Sequence, residues 1–163
     1  MISHDLPDSY SQPLDSFLSM CRARNTTCNI ALNIKADGLC DLLVETMAEY
    51  PQLNCFFFDM SVPEQVSYME RGLPVYTRQS DYEREPVLYQ ESAGVWMDSW
   101  KENWIQEPHI ERHLKNRKTI GMISPEIHGR DPAPLWGLIR KYRREQILLC
   151  TNIPQKAEVY FHE

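Results

Sequence analysis

The chain has 163 residues, 42% of them hydrophobic, which is enough for one buried core and makes a single domain spanning 1–163 the expectation. Its 17 basic and 23 acidic residues give a net charge of −6, and the Lys and Arg are scattered along the chain, a pattern that argues against a nucleic-acid footprint. The five cysteines are odd in number, form no C-x-x-C pair and mostly sit among apolar neighbours, as reduced thiols of a cytoplasmic protein do. The opening residues have neither a cationic nor an apolar leader segment, and no apolar run approaches the ~18 residues of a membrane span.

Short apolar runs alternate with stretches of helical spacing along the chain. A first helix is expected at Leu14 to Arg24, then a strand at Asn29 to Ile34 and a helix at Gly38 to Glu49. A strand at Asn54 to Phe58 and a helix at Pro63 to Arg71 follow. Strands at Leu73 to Tyr76 and Gly94 to Met97 are separated by a polar stretch, Arg78 to Pro86, that reads as a long surface loop. Then come a helix at Pro108 to Lys115, a strand at Thr119 to Ile123, a helix at Pro134 to Arg144, a strand at Gln146 to Cys150 and a helix at Pro154 to Phe161. The runs Cys55-Phe56-Phe57-Phe58 and Ile147-Leu148-Leu149-Cys150 do not alternate, so they suit parallel strands covered on both faces. The expected class is α/β: an incomplete TIM (β/α) barrel of about six parallel strands with alternating helices.

In such a fold chemistry collects at the C-terminal ends of the strands. The residues there are Lys35-Ala36-Asp37, Asp59-Met60-Ser61, Thr77 to Ser80, Asp98-Ser99-Trp100, Ser124 to Arg130 and Thr151-Asn152. Asp59, Ser61 and Asn152 also suit capping of the helices that follow. Lys35, directly after a buried strand, is placed to meet a phosphate or carboxylate. Glu126 and His128, two apart in an extended segment, would face one side and could serve in acid/base work. Trp96 and Trp100 flank Asp98, and aromatic walls beside a carboxylate suit a polyol headgroup, although packing explains Trp96 as well. His109 and His113 have the spacing of a metal pair, but Glu107, Glu111, Arg112 and Lys115 around them read as a solvated outer face.

The segment Ile2-Ser3-His4-Asp5 resembles the strand-end His-Asp element of the glycerophosphodiester phosphodiesterases and the wider phospholipase-C-like superfamily. Ala31-Leu32-Asn33-Ile34-Lys35 resembles the later strand of that family ending in a carboxylate and a lysine. Phe57 through Pro63, Val75 to Arg78, Gly94 to Asp98, Ser124 to Arg130 and Leu149 to Asn152 are similar to an uncharacterised bacterial branch of the superfamily.

The resemblance implies a phosphoric diester hydrolase of lipid metabolism, cleaving a glycerophosphodiester-like or phosphoinositide-like substrate with a divalent metal, Mg or Ca. It makes His4 a proton carrier and Lys35 the phosphate contact. Asn33 and Asp59 become the candidate metal positions, with Asn33 standing where many relatives have Glu. Arg78, Trp96, Glu126, His128 and Arg130 become substrate contacts. The family's His-Arg-Gly element and Glu-x-Asp pair do not precede His4, so the expectation is the C-terminal three-quarters of a barrel, truncated at the N-terminus and incomplete as an enzyme. Two alternatives stand beside it: a non-catalytic binder of a phosphorylated polyol through Lys35, Arg78 and Arg130, and a truncated product needing a partner to fold. In the latter case a homo-oligomer covering the open barrel edge is the natural arrangement.

Overall fold

The structure, a computed structural model, describes residues 1–3, 6–142 and 147–162. By its internal contacts the chain divides into two compact units, Met1–Leu73 and Pro74–Glu163.

The first unit contains helices α1 (Leu14–Ala23), α2 (Cys40–Glu49) and α3 (Val62–Glu70) and strands β1 (Asn29–Asn33) and β2 (Asn54–Phe58). The two strands are parallel and in register from Asn29 opposite Asn54 to Asn33 opposite Phe58. Apolar residues at Leu14, Phe17, Leu18 and Cys21 recur at helical spacing, so one face of α1 closes on Ile30, Tyr50, Leu53 and Cys55. Leu18 is fully buried there, a burial that stabilises by roughly 1.5–3 kcal/mol. Tyr50 ties the far end of α2 to α1 by donating its hydroxyl to the Asp15 carboxylate and sharing a 2.7 Å hydrogen bond with Ser19.

The second unit contains β3 (Val75–Gln79), β4 (Gly94–Met97), β5 (Thr119–Ile123) and β6 (Ile147–Cys150), with α4 (Glu107–Lys115), a short 3-10 turn (Pro125–His128), α5 (Ala133–Arg140) and α6 (Pro154–His162). These four strands pair in chain order, all parallel. Val95, Met97, Ile120 and Met122 point from the sheet into a core completed by Trp104, Ile105, Ile110, Leu135 and Ile139. On the other face Trp96 lies opposite Gly121, and its ring passes where a Cβ on that glycine would stand.

The fold class is therefore as expected: α/β, six strands with parallel pairing, alternating with helices in the succession of a partial (β/α) barrel. No helix among the described residues is long and apolar enough to cross a membrane.

The third strand differs from expectation. It runs from Val75 to Gln79 rather than from Leu73 to Tyr76, because Gly72 turns at φ +77° and Pro74 has no N–H for a ladder. Polar Thr77 and Gln79 are tolerated in the strand because each is satisfied: the Thr77 hydroxyl donates to the Val87 carbonyl at 2.6 Å, and Gln79 Nε2 donates to the Arg84 carbonyl at 2.7 Å. Helix α5 stops at Arg140. The expected helix end at Arg144 and strand start at Gln146 lie outside the described residues, as do His4 and Asp5 of the His-Asp element.

Candidate functional site

In the first unit, the residues after β1 and β2 pair with one another. Lys35 Nζ meets Asp59 Oδ2 at 3.1 Å, and the Ser61 hydroxyl donates to Asp37 Oδ1 at 3.1 Å. Asp59 holds φ +74°, a left-handed conformation that Asp enters more readily than most residues. Its carboxylate meets the Lys35 ammonium. Ser61 does occupy the position before α3, accepting the Gln65 N–H on its backbone carbonyl, but its hydroxyl is given to Asp37. The Lys35 side chain is 58% exposed, so this ion pair contributes at most about 1 kcal/mol.

A hard divalent cation wants six or more oxygen ligands. Asn33 and Asp59 bring one amide and one carboxylate already engaged by an ammonium, and no cluster of three or more His, Cys, Asp or Glu among the described residues could hold a metal. The described set does not fit the ion the resemblance implies.

The second unit holds the denser constellation. Asp98 follows β4 directly, and His128 closes the 3-10 turn that follows β5. His128 Nε2 and Asp98 Oδ1 are 2.7 Å apart, with side chains 16% and 9% exposed. Two further contacts fix Asp98: the Ser99 backbone N–H donates to the same Oδ1 at 2.7 Å, and the Trp104 indole N–H donates to the Asp98 carbonyl at 2.7 Å. The ring of Trp100, 55% exposed, lies 4.7 Å from the imidazole. Gly129, at φ +71°, reverses the chain after His128 and brings Arg130 back. The Arg130 guanidinium donates to the Ser99 carbonyl and, at 2.7 Å, to Asn103 Oδ1. A cleft of about 120 Å3 opens beside these groups, lined by Ser99, Asn103, Ile105, Pro125, Pro134 and Leu135.

Glu126 and His128 do not share a side. Pro125–His128 is a 3-10 turn rather than an extended segment, and at three residues per turn positions two apart point about 120° away from each other. His128 reaches the end of β4. Glu126 reaches the end of β6, accepting the Thr151 hydroxyl and the Asn152 backbone N–H, the latter at 3.1 Å. Burial works to raise the Glu126 carboxyl, but hydrogen bonds from Ser124, Thr151 and Asn152 outweigh it and hold it below the ordinary value. Asn152 is a partner of Glu126 through its backbone, and it is the Ile153 carbonyl that accepts the first N–H groups of α6.

The remaining predicted positions lie elsewhere. Trp96 is 8% exposed in the body of β4. Arg78 lies within β3 and pairs with Glu83 at 3.0 Å. The outer-face reading of His113 is overturned: it is fully buried, with Nδ1 3.0 Å from the Tyr89 hydroxyl and Nε2 2.7 Å from Gln79 Oε1. Because the Gln79 amide nitrogen is committed to Arg84, its oxygen accepts, so His113 carries its proton on Nε2. Burial, with Arg112 and His109 adding to it, holds the His113 pKa down at about 4. His109 instead receives the Gln106 N–H on Nδ1 and packs edge-on to Trp104, so the two histidines serve different neighbours.

Ser99 belongs to the expected strand exit Asp98-Ser99-Trp100, whereas Asn103 and Asp81 were not legible as site residues. Asn103 lies a few residues beyond that exit, which is a usable signal; Asp81 sits in a polar loop with no spacing relation to the residues it binds. Comparison with known proteins finds no matching family model, no matching curated protein and no matching solved structure.

Proposed function

We propose that the chain is a phosphoric diester hydrolase-like protein that takes a small phosphodiester or phosphorylated polyol at the strand ends of its second unit, with His128 as the proton carrier. The supporting observation is the His128–Asp98 pair at 2.7 Å, at the C-terminal ends of adjacent parallel strands, where α/β folds place their chemistry. Asp98 accepts a hydrogen bond from the Nε2–H and so fixes the tautomer, leaving Nδ1 to accept or give a proton. Trp100 offers an open aromatic face beside it, and Arg130 brings positive charge to the same loop.

On this reading the oxygen of a water attacks phosphorus and its proton passes to Nδ1. The bond from phosphorus to the leaving oxygen breaks, and the proton held on Nδ1 passes to that oxygen, so that the alcohol departs and the imidazole returns to its neutral form. Proton transfer by one placed group is worth about 10²–10⁴-fold in rate.

Glycerophosphocholine followed by 31P NMR tests this. Conversion of the diester to glycerol 3-phosphate is expected, falling about 100-fold or more in His128→Ala. Stabilisation by glycerol 3-phosphate without turnover would retain the binder reading and remove hydrolysis; neither stabilisation nor turnover would overturn the proposal.

A further inference from the structure

The loop between β3 and β4 is fastened at many points. After β3, Ser80 closes a turn, its N–H donating to the Glu83 carbonyl at 3.0 Å and its hydroxyl oxygen accepting the Tyr82 and Glu83 N–H groups. The turn aims the Asp81 carboxylate across at the segment after β4. Asp81 Oδ1 accepts the Trp100 N–H at 3.0 Å, while Oδ2 accepts the Lys101 N–H at 2.6 Å and, more weakly, the Glu102 N–H at 3.4 Å. Three successive backbone N–H groups converging on one anion make a nest, which fixes the backbone conformation that supplies them. The N–H groups outweigh the effect of burial and hold the Asp81 carboxyl below its ordinary value, so it stays charged. Arg84 reinforces the crossing, with an ion pair to Glu102 at 3.1 Å and its guanidinium over the Trp104 ring.

The segment held in this way carries Asp98, Ser99, Trp100, Asn103 and Trp104. Asp98 and Trp104 have their own anchors in the core, whereas Trp100 is 55% exposed. The backbone sets where an exposed ring is rooted and which rotamers it can take, and at residue 100 that backbone is bonded to Asp81. We infer that Asp81 is a positioning residue: by collecting the N–H groups of Trp100, Lys101 and Glu102 it sets the Trp100 ring against His128 and so shapes the open wall of the site. This rests on the proposed function for its meaning, but not for its geometry.

The test needs no ligand. An indole ring whose centroid lies 4.7 Å from that of an imidazole, tilted 38° to it, shifts the imidazole's carbon-bound proton resonances by its ring current. The His128 signal, assigned by its loss in His128→Asn, should move in Asp81→Ala to the position it takes in Trp100→Ala. In Asp81→Asn, which keeps one acceptor oxygen, it should move part of the way. A His128 signal at its wild-type position in either Asp81 variant would overturn the inference, and Asp81→Asn decides the matter if the alanine variant does not fold. A merely structural staple would lower stability without moving this resonance. If the resonance moves as expected while glycerol 3-phosphate fails to bind, the proposed function falls and the positioning role stands.

Discussion

His113 shows how one residue's environment sets a measurable property. It is buried and neutral between Tyr89 and Gln79, with its pKa lowered to about 4. In the unfolded chain a histidine titrates near 6.5, so between pH ~6.5 and ~4 the unfolded state binds a proton that the native state refuses. Stability is therefore lost as pH falls through that window, by at most about 3 kcal/mol from this residue, and is unaffected by it above pH ~6.5. Denaturant unfolding should show a shallower loss over this window in His113→Leu than in the native sequence. Equal slopes would contradict the account. The leucine variant should also be less stable at neutral pH, since it strands Gln79 Oε1 and the Tyr89 hydroxyl. The charged neighbours of His113 masked its burial in the sequence. Ile110 and Leu114, three before and one after, were the usable sign that it lies on the apolar stripe of α4.

At the scale of elements, most strands were legible because apolar runs stop sharply at polar residues. Of the third only the first part was, since Thr77 and Gln79 look like a loop and are strand residues whose polar groups find internal partners. Likewise the Pro125–His128 turn and an extended segment have the same composition, and only the backbone decides which way Glu126 and His128 face. The pairing of β4 with β5 carries its own prediction. The Trp96 ring occupies the place where a Gly121 Cβ would stand. The atoms in the way belong to the Trp96 side chain, whose ring is confined in a buried site, so Gly121→Ala should cost about 1–3 kcal/mol. A midpoint shift in chemical denaturation reads this, and an unchanged midpoint would show that the ring relocates freely.

For the whole molecule, the succession of βα units and the strand-end location of its polar residues could be read from sequence, because both follow from chain order. Which polar residues meet could not, since Asp98 with His128, Glu126 with Thr151 and Asp81 with Trp100 are separated by 30, 25 and 19 positions. The resemblance drew attention to His4 and Lys35. His4 lies outside the described residues, Lys35 is engaged by Asp59, and the constellation with acid/base geometry is the one around His128. The central claim, that this constellation receives a phosphorylated polyol, is tested most directly by titrating glycerol 3-phosphate into the protein while following the His128 imidazole and Trp100 indole resonances by NMR. The account predicts saturable shifts of both signals that vanish in His128→Ala for the indole and in Trp100→Ala for the imidazole. Saturation of other resonances with these two unmoved, or no saturable shift at all, would contradict it.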